Sequence, residues 1–240
     1  MSASVQFIRW GQERVRAGPW RGDRHVAYLS PAPGAPLPSV AFVRRCLEQL
    51  AGEGYAQVVT AALMPHEQGG FVEAGFVVEE RLVLLGHDLR TLPEAPARPL
   101  RRARAADQRP VLALDHLSFP AFWQLDAAGL EEAITATPRA RYRVADAPTA
   151  SDGAAVGYVV TGRAGRRGYI QRLAVHPGAR RAGWARALVV DGLRWLRRWR
   201  AEKVLVNTQE DNAGAAALYE SLGFRREPNG LSVLSARLGP

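Results

Sequence analysis

A short run of basic and small residues in the last third of the chain has the composition of an anion site. It lies within GARRAGWARALVVDGLRWLRRW at 178–199, where Arg180, Arg181 and Gly183 precede a long stretch of helical apolar spacing. The first turn of a helix leaves backbone N–H groups unpaired and carries partial positive charge. Glycine and small residues there let a phosphate approach closely, and arginines add charge-assisted hydrogen bonds. The run therefore indicates a pyrophosphate site, although an ordinary helix start that tolerates glycine has the same pattern.

The elements that would position this run alternate between strands and helices. Downstream of residue 99 the patterns predict strands at 99–107, 140–147, 154–162, 168–175, 202–208 and 230–238. They predict helices at 107–119, at 126–137 with Asp126 as N-cap, from the quoted run to about Ala201, and at 212–223. Upstream they predict strands at 5–10, 25–30, 56–63 and 75–89, and a helix at 39–52 with Ser39 as N-cap. The quoted run would thus connect a strand to a helix inside an α/β unit.

The chain contains a partial internal repeat. When the first part is moved along the second by 148 positions, QVVTAALMPHEQGGFVEAGF at 57–76 aligns with LVNTQEDNAGAAALYESLGF at 205–224. A proline-rich stretch without periodicity, RTLPEAPARPL at 90–100, separates the two parts and is typical of a linker. The sequence therefore predicts a domain at 1–90, a linker at 91–98 and a second domain at 99–240.

Two stretches of the second part resemble the GCN5-related N-acetyltransferase (GNAT) superfamily. Arg180, Gly183 and Ala185 match that family's pyrophosphate loop, and RLAVHP at 172–177 looks like the end of its coenzyme-binding strand. NTQEDNAGAAALYESLGFR at 207–225 is similar to its second signature, with Asn212 and Tyr219 at the matching places. The resemblance covers about 99–238. It implies an α/β (α+β) GNAT fold, a mixed central sheet flanked by helices, with a smaller, incomplete GNAT-like N-terminal domain.

The resemblance also implies a set of coenzyme-binding residues and one catalytic residue. Acetyl-CoA would be the co-substrate, and Tyr219 would protonate the leaving thiolate; the alternative is a tyrosine that packs in the core. Asn212 would contact the coenzyme, cap its helix, or do both. The implied coenzyme-binding residues are Leu173, Ala174, Val175, Arg180, Arg181, Ala182, Gly183, Trp184, Ala185, Arg186, Asn212 and Tyr219.

The acceptor side gives fewer signals. Family members that acetylate ribosomal-protein N-termini carry a glutamate where this chain has Asn207, so a water relay is the expected route for the amine proton. Gln171 and Asn207 are expected to line the acceptor side. Phe122 and Trp123 are candidate substrate contacts in the segment between the first two helices, and core or loop-anchoring roles fit them equally well.

The first half lacks the residues that would make a second site. At the 148-residue offset Tyr219 meets Phe71, Asn212 meets Met64, and the pyrophosphate loop meets the proline-rich SPAPGAPLP at 30–38. The acid, the amide and the arginines are all absent there. A structural or acceptor-covering role is therefore expected for this half.

Composition narrows the function further. The net charge of +9 comes almost wholly from arginines spread along the chain, so neither nucleic acid nor membrane is an expected partner. This arginine usage, with Lys203 as the single lysine, is typical of a GC-rich bacterial genome. No apolar run suggests a membrane span or a signal peptide, which predicts a cytoplasmic protein. Cys46 has helical apolar spacing that predicts a buried thiol, and no His and Cys spacing indicates a metal site.

The expected function is acetyl-CoA-dependent transfer of an acetyl group to a primary amine of a small molecule or peptide. Among tandem bacterial family members the arrangement is similar to that of the mycothiol synthases, although this chain is shorter and its first half more eroded. A protein N-terminal or lysine acetyltransferase and a non-catalytic acyl-CoA-binding module are the alternatives. The sequence leaves the acceptor and the oligomeric state open.

Overall fold

The computed structural model describes residues 6–146 and 155–239. By its internal contacts the chain divides into two compact units. Unit 1 takes the described residues of Met1–Leu84, Asn207–Asp211 and Glu227–Pro240, and unit 2 takes those of Leu85–Val206 and Asn212–Arg226. The domain limits expected from the sequence, at 1–90 and 99–240, stay a prediction.

Unit 1 is a sheet with two helices. Its elements are β1 (Gln6–Trp10), β2 (Glu13–Pro19), β3 (Val26–Pro31), α1 (Val40–Gly52), β4 (Gln57–Thr60), α2 (Gly69–Glu73), the first part of β5 (Val77–His87), and β12 (Leu231–Arg237). The β1–β2 and β2–β3 pairs are antiparallel, whereas β3 and β4 are parallel. The C-terminal strand β12 pairs antiparallel with both β4 and β5. This unit therefore draws its strands from both ends of the sequence.

Helix α1 covers one face of the unit 1 core. It begins after Ser39, whose side chain accepts a hydrogen bond from the Phe42 N–H at 3.3 Å, as expected for an N-cap. Phe42, Leu50 and the Cys46 thiol are fully buried. Burial raises the pKa of Cys46 to about 12, so the thiol stays protonated and unreactive at neutral pH.

Unit 2 holds the elements around the predicted loop. Its elements are the end of β5, β6 (Leu100–Arg102), α3 (Gln108–Ser118), α4 (Ala127–Thr135), β7 (Arg139–Asp146), β8 (Ala155–Ala164), β9 (Arg167–Val175), α5 (Trp184–Arg198), the first part of β10 (Lys203–Gln209), α6 (Ala213–Ser221) and β11 (Arg225–Arg226). Antiparallel pairs join β6 to β7, β7 to β8 and β8 to β9, and β10 joins β9 in parallel.

The core of unit 2 lies where apolar periodicity places it. Val111 and Leu114 of α3 and Leu130 of α4 pack with Tyr158 and Val160 of β8. Helix α5 buries Leu188, Val189, Leu193 and Leu196, which recur at helical spacing along one face. The Asp126 carboxylate caps α4 by accepting a hydrogen bond from the Gly129 N–H at 2.7 Å.

The internal repeat is confirmed by the order and direction of the strands. In unit 1 the chain runs through two antiparallel pairs and a parallel pair, with a helix before β4 and another after it. In unit 2 the strands β7, β8, β9 and β10, with α5 before β10 and α6 after it, repeat that order and those directions. Unit 1 has no counterpart of α3 and α4 among its described residues, so the first copy is the smaller one.

Most predicted elements are present, and β2 and the two-residue β11 are the strands that the sequence patterns missed. The strands predicted at 5–10, 140–147 and 154–162 correspond to β1, β7 and β8, but residues 5, 147 and 154 lie outside the described part of the chain. Strand β2 reads ERVRAGP, in which charged residues and glycine hide the alternation of buried Val15 and Ala17.

Candidate active site

The predicted anion-binding loop lies between β9 and α5. After Val175 a single 3-10 turn, Pro177–Ala179, leads to α5, and the Nδ1 atom of His176 accepts the Gly178 N–H at 3.1 Å. Arg181 and Gly183 have left-handed backbones, with φ of 63° and 83°. Gly183 is the N-cap of α5 and offers no side chain to the first turn. The first backbone N–H groups of α5 are therefore open to an acceptor from outside the helix.

The side chains of this loop differ in exposure. Arg180, Arg181 and Ala182 are exposed, Gly183, Ala185 and Arg186 are half-buried, and Trp184 is buried. Arg186 donates its Nε–H to the backbone oxygen of Glu94 at 2.7 Å. A neutral carbonyl leaves the charge of a guanidinium uncompensated, so the loop combines open N–H groups with positive charge. That combination suits a phosphate or pyrophosphate group.

The strand that leads into the loop has an open edge. Strand β10 pairs with β9 only from Lys203 to Leu205, opposite Arg167 to Tyr169, although β9 continues to Val175. The register of β8 against β9 shifts between Val160 and Thr161, which leaves Gln171 as the extra, bulged residue. The pairing with β10 therefore ends next to the bulge.

The register also tells which backbone groups face the open edge. The His176 N–H donates to the Val156 oxygen at 2.8 Å, and hydrogen-bonded pairs alternate along an antiparallel ladder. Ala174 and Tyr158 therefore form the next hydrogen-bonded pair. Leu173 and Val175 direct their N–H and C=O groups away from β8, toward the side that β10 leaves open, where the Val175 oxygen accepts a hydrogen bond from the Ser118 hydroxyl at 3.4 Å. An extended ligand with amide groups could pair there as an added strand.

Tyr219 and Asn212 lie on α6, in the same unit as the loop. The Asn212 side chain accepts the Ala215 N–H at 3.1 Å and caps the helix. Tyr219 is 5% exposed, and its ring makes an edge contact with Phe224 at 5.4 Å between centroids. Burial raises the pKa of Tyr219, so its hydroxyl keeps its proton at neutral pH. The hydroxyl therefore has a proton to donate, and burial makes it a weaker acid than an exposed tyrosine.

The four predicted acceptor-side residues lie on three different elements. Phe122 and Trp123 share a 3-10 turn, Ala121–Trp123, and their rings meet edge to face at 5.1 Å. Gln171 lies at the bulge with its Oε1 atom buried and, among the described residues, without a hydrogen-bond partner. Asn207 is exposed on β10 and groups with unit 1.

The sequence analysis missed a buried charge network beneath the turn that carries Phe122 and Trp123. Asp115 of α3 is fully buried and accepts two hydrogen bonds from Arg172, one from the Tyr158 hydroxyl and one from the Leu125 N–H, at 2.5 to 2.8 Å. Arg172 also donates to the Trp123 oxygen at 2.7 Å and lies 3.5 Å from the centre of the Phe119 ring. The network thus fixes residues 119–125 against β9. An aspartate on the apolar face of α3, four residues after Val111, was the signal in the sequence.

The sequence of this region matches a known protein family. The model of the acetyltransferase (GNAT) family matches residues 109–224. This segment is a GNAT domain. The match runs from the start of α3 to Phe224, so the GNAT domain includes the open edge of β9, the arginine-rich loop, Asn212 and Tyr219.

Sequence relatives of known name match only part of the chain. A mycothiol acetyltransferase from Acidothermus cellulolyticus is 44% identical over 72 residues, which is 30% of this chain and 21% of the relative. A mycothiol acetyltransferase from Geodermatophilus obscurus is 40% identical over 70 residues, or 29% of this chain and 23% of the relative. The matches therefore span about a fifth of the length of these relatives.

Solved structures resemble the chain over almost its whole length. A tandem GNAT protein from the clavulanic acid biosynthesis pathway matches with a TM-score of 0.71 at 16% identity, covering 100% of this chain and 84% of that one. A GCN5-related N-acetyltransferase from Kribbella flavida matches with a TM-score of 0.64 at 16% identity, covering 99% and 91%. At these identities the likeness shows the fold, which is the tandem GNAT fold expected from the sequence.

Within residues 6–146 and 155–239, no group of three or more His, Cys, Asp or Glu side chains is arranged to hold a metal ion. No helix in the described part of the chain is long and apolar enough to cross a membrane.

Proposed function

We propose that this chain is an N-acetyltransferase that uses acetyl-CoA to acetylate a primary amine of a small molecule or peptide. One observation carries the proposal: a single unit of GNAT fold combines an open helix start flanked by arginines, an open strand edge and a buried phenol. These features fit a coenzyme with an anionic head and an extended, amide-containing arm. Such a coenzyme supplies the acetyl group as a thioester when bound.

Each part of the site has a proposed role. The N–H groups at the start of α5, together with Arg180, Arg181 and Arg186, hold the pyrophosphate, while Ala182, Gly183, Trp184 and Ala185 supply the backbone around it. The backbone of Leu173 and Val175 pairs with the arm, and Ala174 anchors this stretch to β8. Asn212 keeps the start of α6 in place beside its proposed coenzyme contact. Tyr219 donates its proton to the sulfur as the carbon–sulfur bond breaks.

The attacking amine must lose a proton, and no carboxylate occupies the place of the family's glutamate. Asn207 at that place cannot accept a proton at neutral pH, so we assign the transfer to a relay of water molecules. Gln171 and Asn207 are proposed to orient the acceptor, and Phe122 and Trp123 to contact its apolar part. The names of the mycothiol acetyltransferase relatives favour a small-molecule acceptor over a protein N-terminus or a lysine side chain.

The decisive experiment measures acetyl transfer directly. The purified chain is incubated with acetyl-CoA and a panel of small amines and short peptides, and the products are identified by mass spectrometry. Transfer to at least one amine is expected, together with an increase in melting temperature when acetyl-CoA is added. Stabilisation by acetyl-CoA without transfer to any amine would favour an acyl-CoA-binding module instead.

A variant that adds a negative charge tests the loop. Gly183→Asp places a carboxylate where the anionic head is proposed to bind, so acetyl-CoA should no longer raise the melting temperature. The control for the left-handed backbone is Gly54→Asp in unit 1, where no atom lies within 4 Å of an added Cβ, whereas a Cβ on Gly183 meets the Pro96 ring. If the Gly183 variant bound acetyl-CoA as tightly as the parent protein, the assignment of the loop would be wrong.

The first half is proposed to bind no coenzyme. Phe71, which aligns with Tyr219, is fully buried, and the connection from β3 to α1 is rich in proline. Titration calorimetry should therefore give one acetyl-CoA per chain, and a value of two would contradict this view.

A further inference from the structure

The segment from Glu94 to Arg98, predicted to be a linker, lies against the start of α5. The Arg98 guanidinium donates to the Ala182 oxygen at 2.6 Å and lies 4.9 Å from the centre of the Trp184 ring. The Glu94 oxygen accepts from Arg186. A Cβ atom on Gly183 would come within 2.8 Å of the Pro96 ring, so the two residues are in close contact. We call Glu94–Arg98 the strap.

The strap contacts the loop next to residues whose backbone is in the left-handed conformation. Ala182 stands between Arg181 and Gly183, both of which are left-handed. A left-handed conformation costs a residue with a side chain roughly 1 kcal/mol or more, so Arg181 needs support from its surroundings. The hydrogen bond from Arg98 to the Ala182 oxygen restrains the peptide that joins Ala182 to the left-handed Gly183, and so restrains the backbone directly after Arg181.

The strap also fixes the two ends of the first turn of α5. Arg98 stacks on Trp184, the first residue of the helix, and the Glu94 oxygen orients Arg186. Both contacts use cations, and both hydrogen-bond acceptors are neutral carbonyls, so neither hydrogen bond neutralises a guanidinium at the loop. The Arg98 guanidinium beside the Ala182 oxygen is complementary to an anion bound at the loop.

We propose that Arg98 is a positioning residue of the coenzyme site, which acts by holding the loop 180–186 in the conformation that binds pyrophosphate. This inference rests on the proposed function, because it takes acetyl-CoA as the ligand. It adds a residue from outside the matched family segment to the site.

The test compares two ligands that differ in their anionic head. Dissociation constants are measured by calorimetry for acetyl-CoA and for S-acetylpantetheine, which has the same arm and no phosphate. Arg98→Ala should weaken acetyl-CoA binding about tenfold, the worth of one charge-assisted hydrogen bond, and leave S-acetylpantetheine unchanged within twofold. Pro96→Gly, which loosens the strap, should change binding in the same direction. Arg90→Ala is the control, since Arg90 is exposed on the same connection and its ion pair among the described residues is with the exposed Asp88, at 3.7 Å.

The outcomes separate this inference from the proposed function. If the parent protein failed to bind acetyl-CoA, the proposed function itself would be wrong. If the parent bound it and Arg98→Ala bound it equally well, the strap would have no part in the site. Tighter binding of acetyl-CoA by Arg98→Ala would also overturn the inference, because the strap would then obstruct the loop. Equal weakening of acetyl-CoA and S-acetylpantetheine binding would overturn it too, because it would show a general loss of structure.

Discussion

Replacing Asp115 by asparagine should destabilise unit 2 more than any other single loss of charge described above. The side chain is 0% exposed and receives four hydrogen bonds, two of them from Arg172. Asparagine has nearly the same shape, but it removes the negative charge and turns an N–H group toward donors. Arg172, whose side chain is only 11% exposed, would then be a buried cation without its partner.

The size of the effect follows from this burial. Breaking a buried ion pair from one side costs about 3–5 kcal/mol, because the remaining charge stays desolvated. For a chain of this size each kcal/mol lowers the melting temperature by roughly 2–4 °C, so a decrease of roughly 6–20 °C is expected. Scanning calorimetry and urea unfolding followed by circular dichroism measure both quantities.

Two variants make this prediction specific. Asp191→Asn also removes a carboxylate that two arginines share, Arg141 and Arg143, but its side chain is 20% exposed, so a loss of about 1 kcal/mol is expected. Replacing the pair together, with Asp115→Leu and Arg172→Met, should recover part of the stability because no charge is left buried. A loss below about 1 kcal/mol in Asp115→Asn, or one equal to that of Asp191→Asn, would refute the reasoning.

Three further predictions concern the catalytic proton, pH and the extent of the folding unit. Tyr219→Phe keeps the ring contact with Phe224 but removes the proton, so kcat and kcat/KM should fall together by about 10²- to 10⁴-fold. The affinity for acetyl-CoA, measured by calorimetry, should stay unchanged. An unchanged kcat would exclude Tyr219 as the acid. Burial lowers the pKa of His87 below its ordinary 6.5, so just below pH 6.5 the unfolded chain binds a proton that the folded chain does not. The free energy of unfolding should therefore decrease as the pH falls from about 6.5 through the lowered pKa. His87→Gln should flatten that dependence in urea titrations, and an identical slope in both proteins would contradict this origin. A fragment of residues 99–240 should melt at a lower temperature than the parent protein by calorimetry, because β11 and β12 lose their partners β4 and β5; an unchanged melting temperature would contradict this expectation.

The fold was largely predictable because its signals are local. Periodicity placed α1, α5 and β8, and capping residues such as Ser39 and Asp126 marked where helices begin. The internal repeat was visible at an offset of 148 residues because helix and strand patterns survive where identities have been lost. Strand β2 was missed because its charged residues and glycine obscure an alternation that only the neighbouring strands reveal.

The parts of the site that the sequence did not predict depend on contacts between distant residues. The loop at 180–186 was recognisable from its own composition. The strap was not, because Arg98 and Ala182 are 84 residues apart and a proline-rich stretch carries no pattern that says what it touches. The pairing of Asp115 with Arg172 likewise joins residues 57 apart. The open edge of β9 depends on where β10 stops pairing, and no residue type signals this.

The position of β12 has a consequence for how the protein is made. Strand β12 lies between β4 and β5, so the sheet of unit 1 stays incomplete until residue 237 has left the ribosome. Until then β4 and β5 expose unpaired edges while nearly all of unit 2 is synthesised. Pairing over such a distance along the chain is slow, and it leaves time for a strand from another molecule to take the vacant place. Assembly of unit 1 is therefore expected to be the slow step in folding, and exchange of β12 between two chains the misfolding route that competes with it.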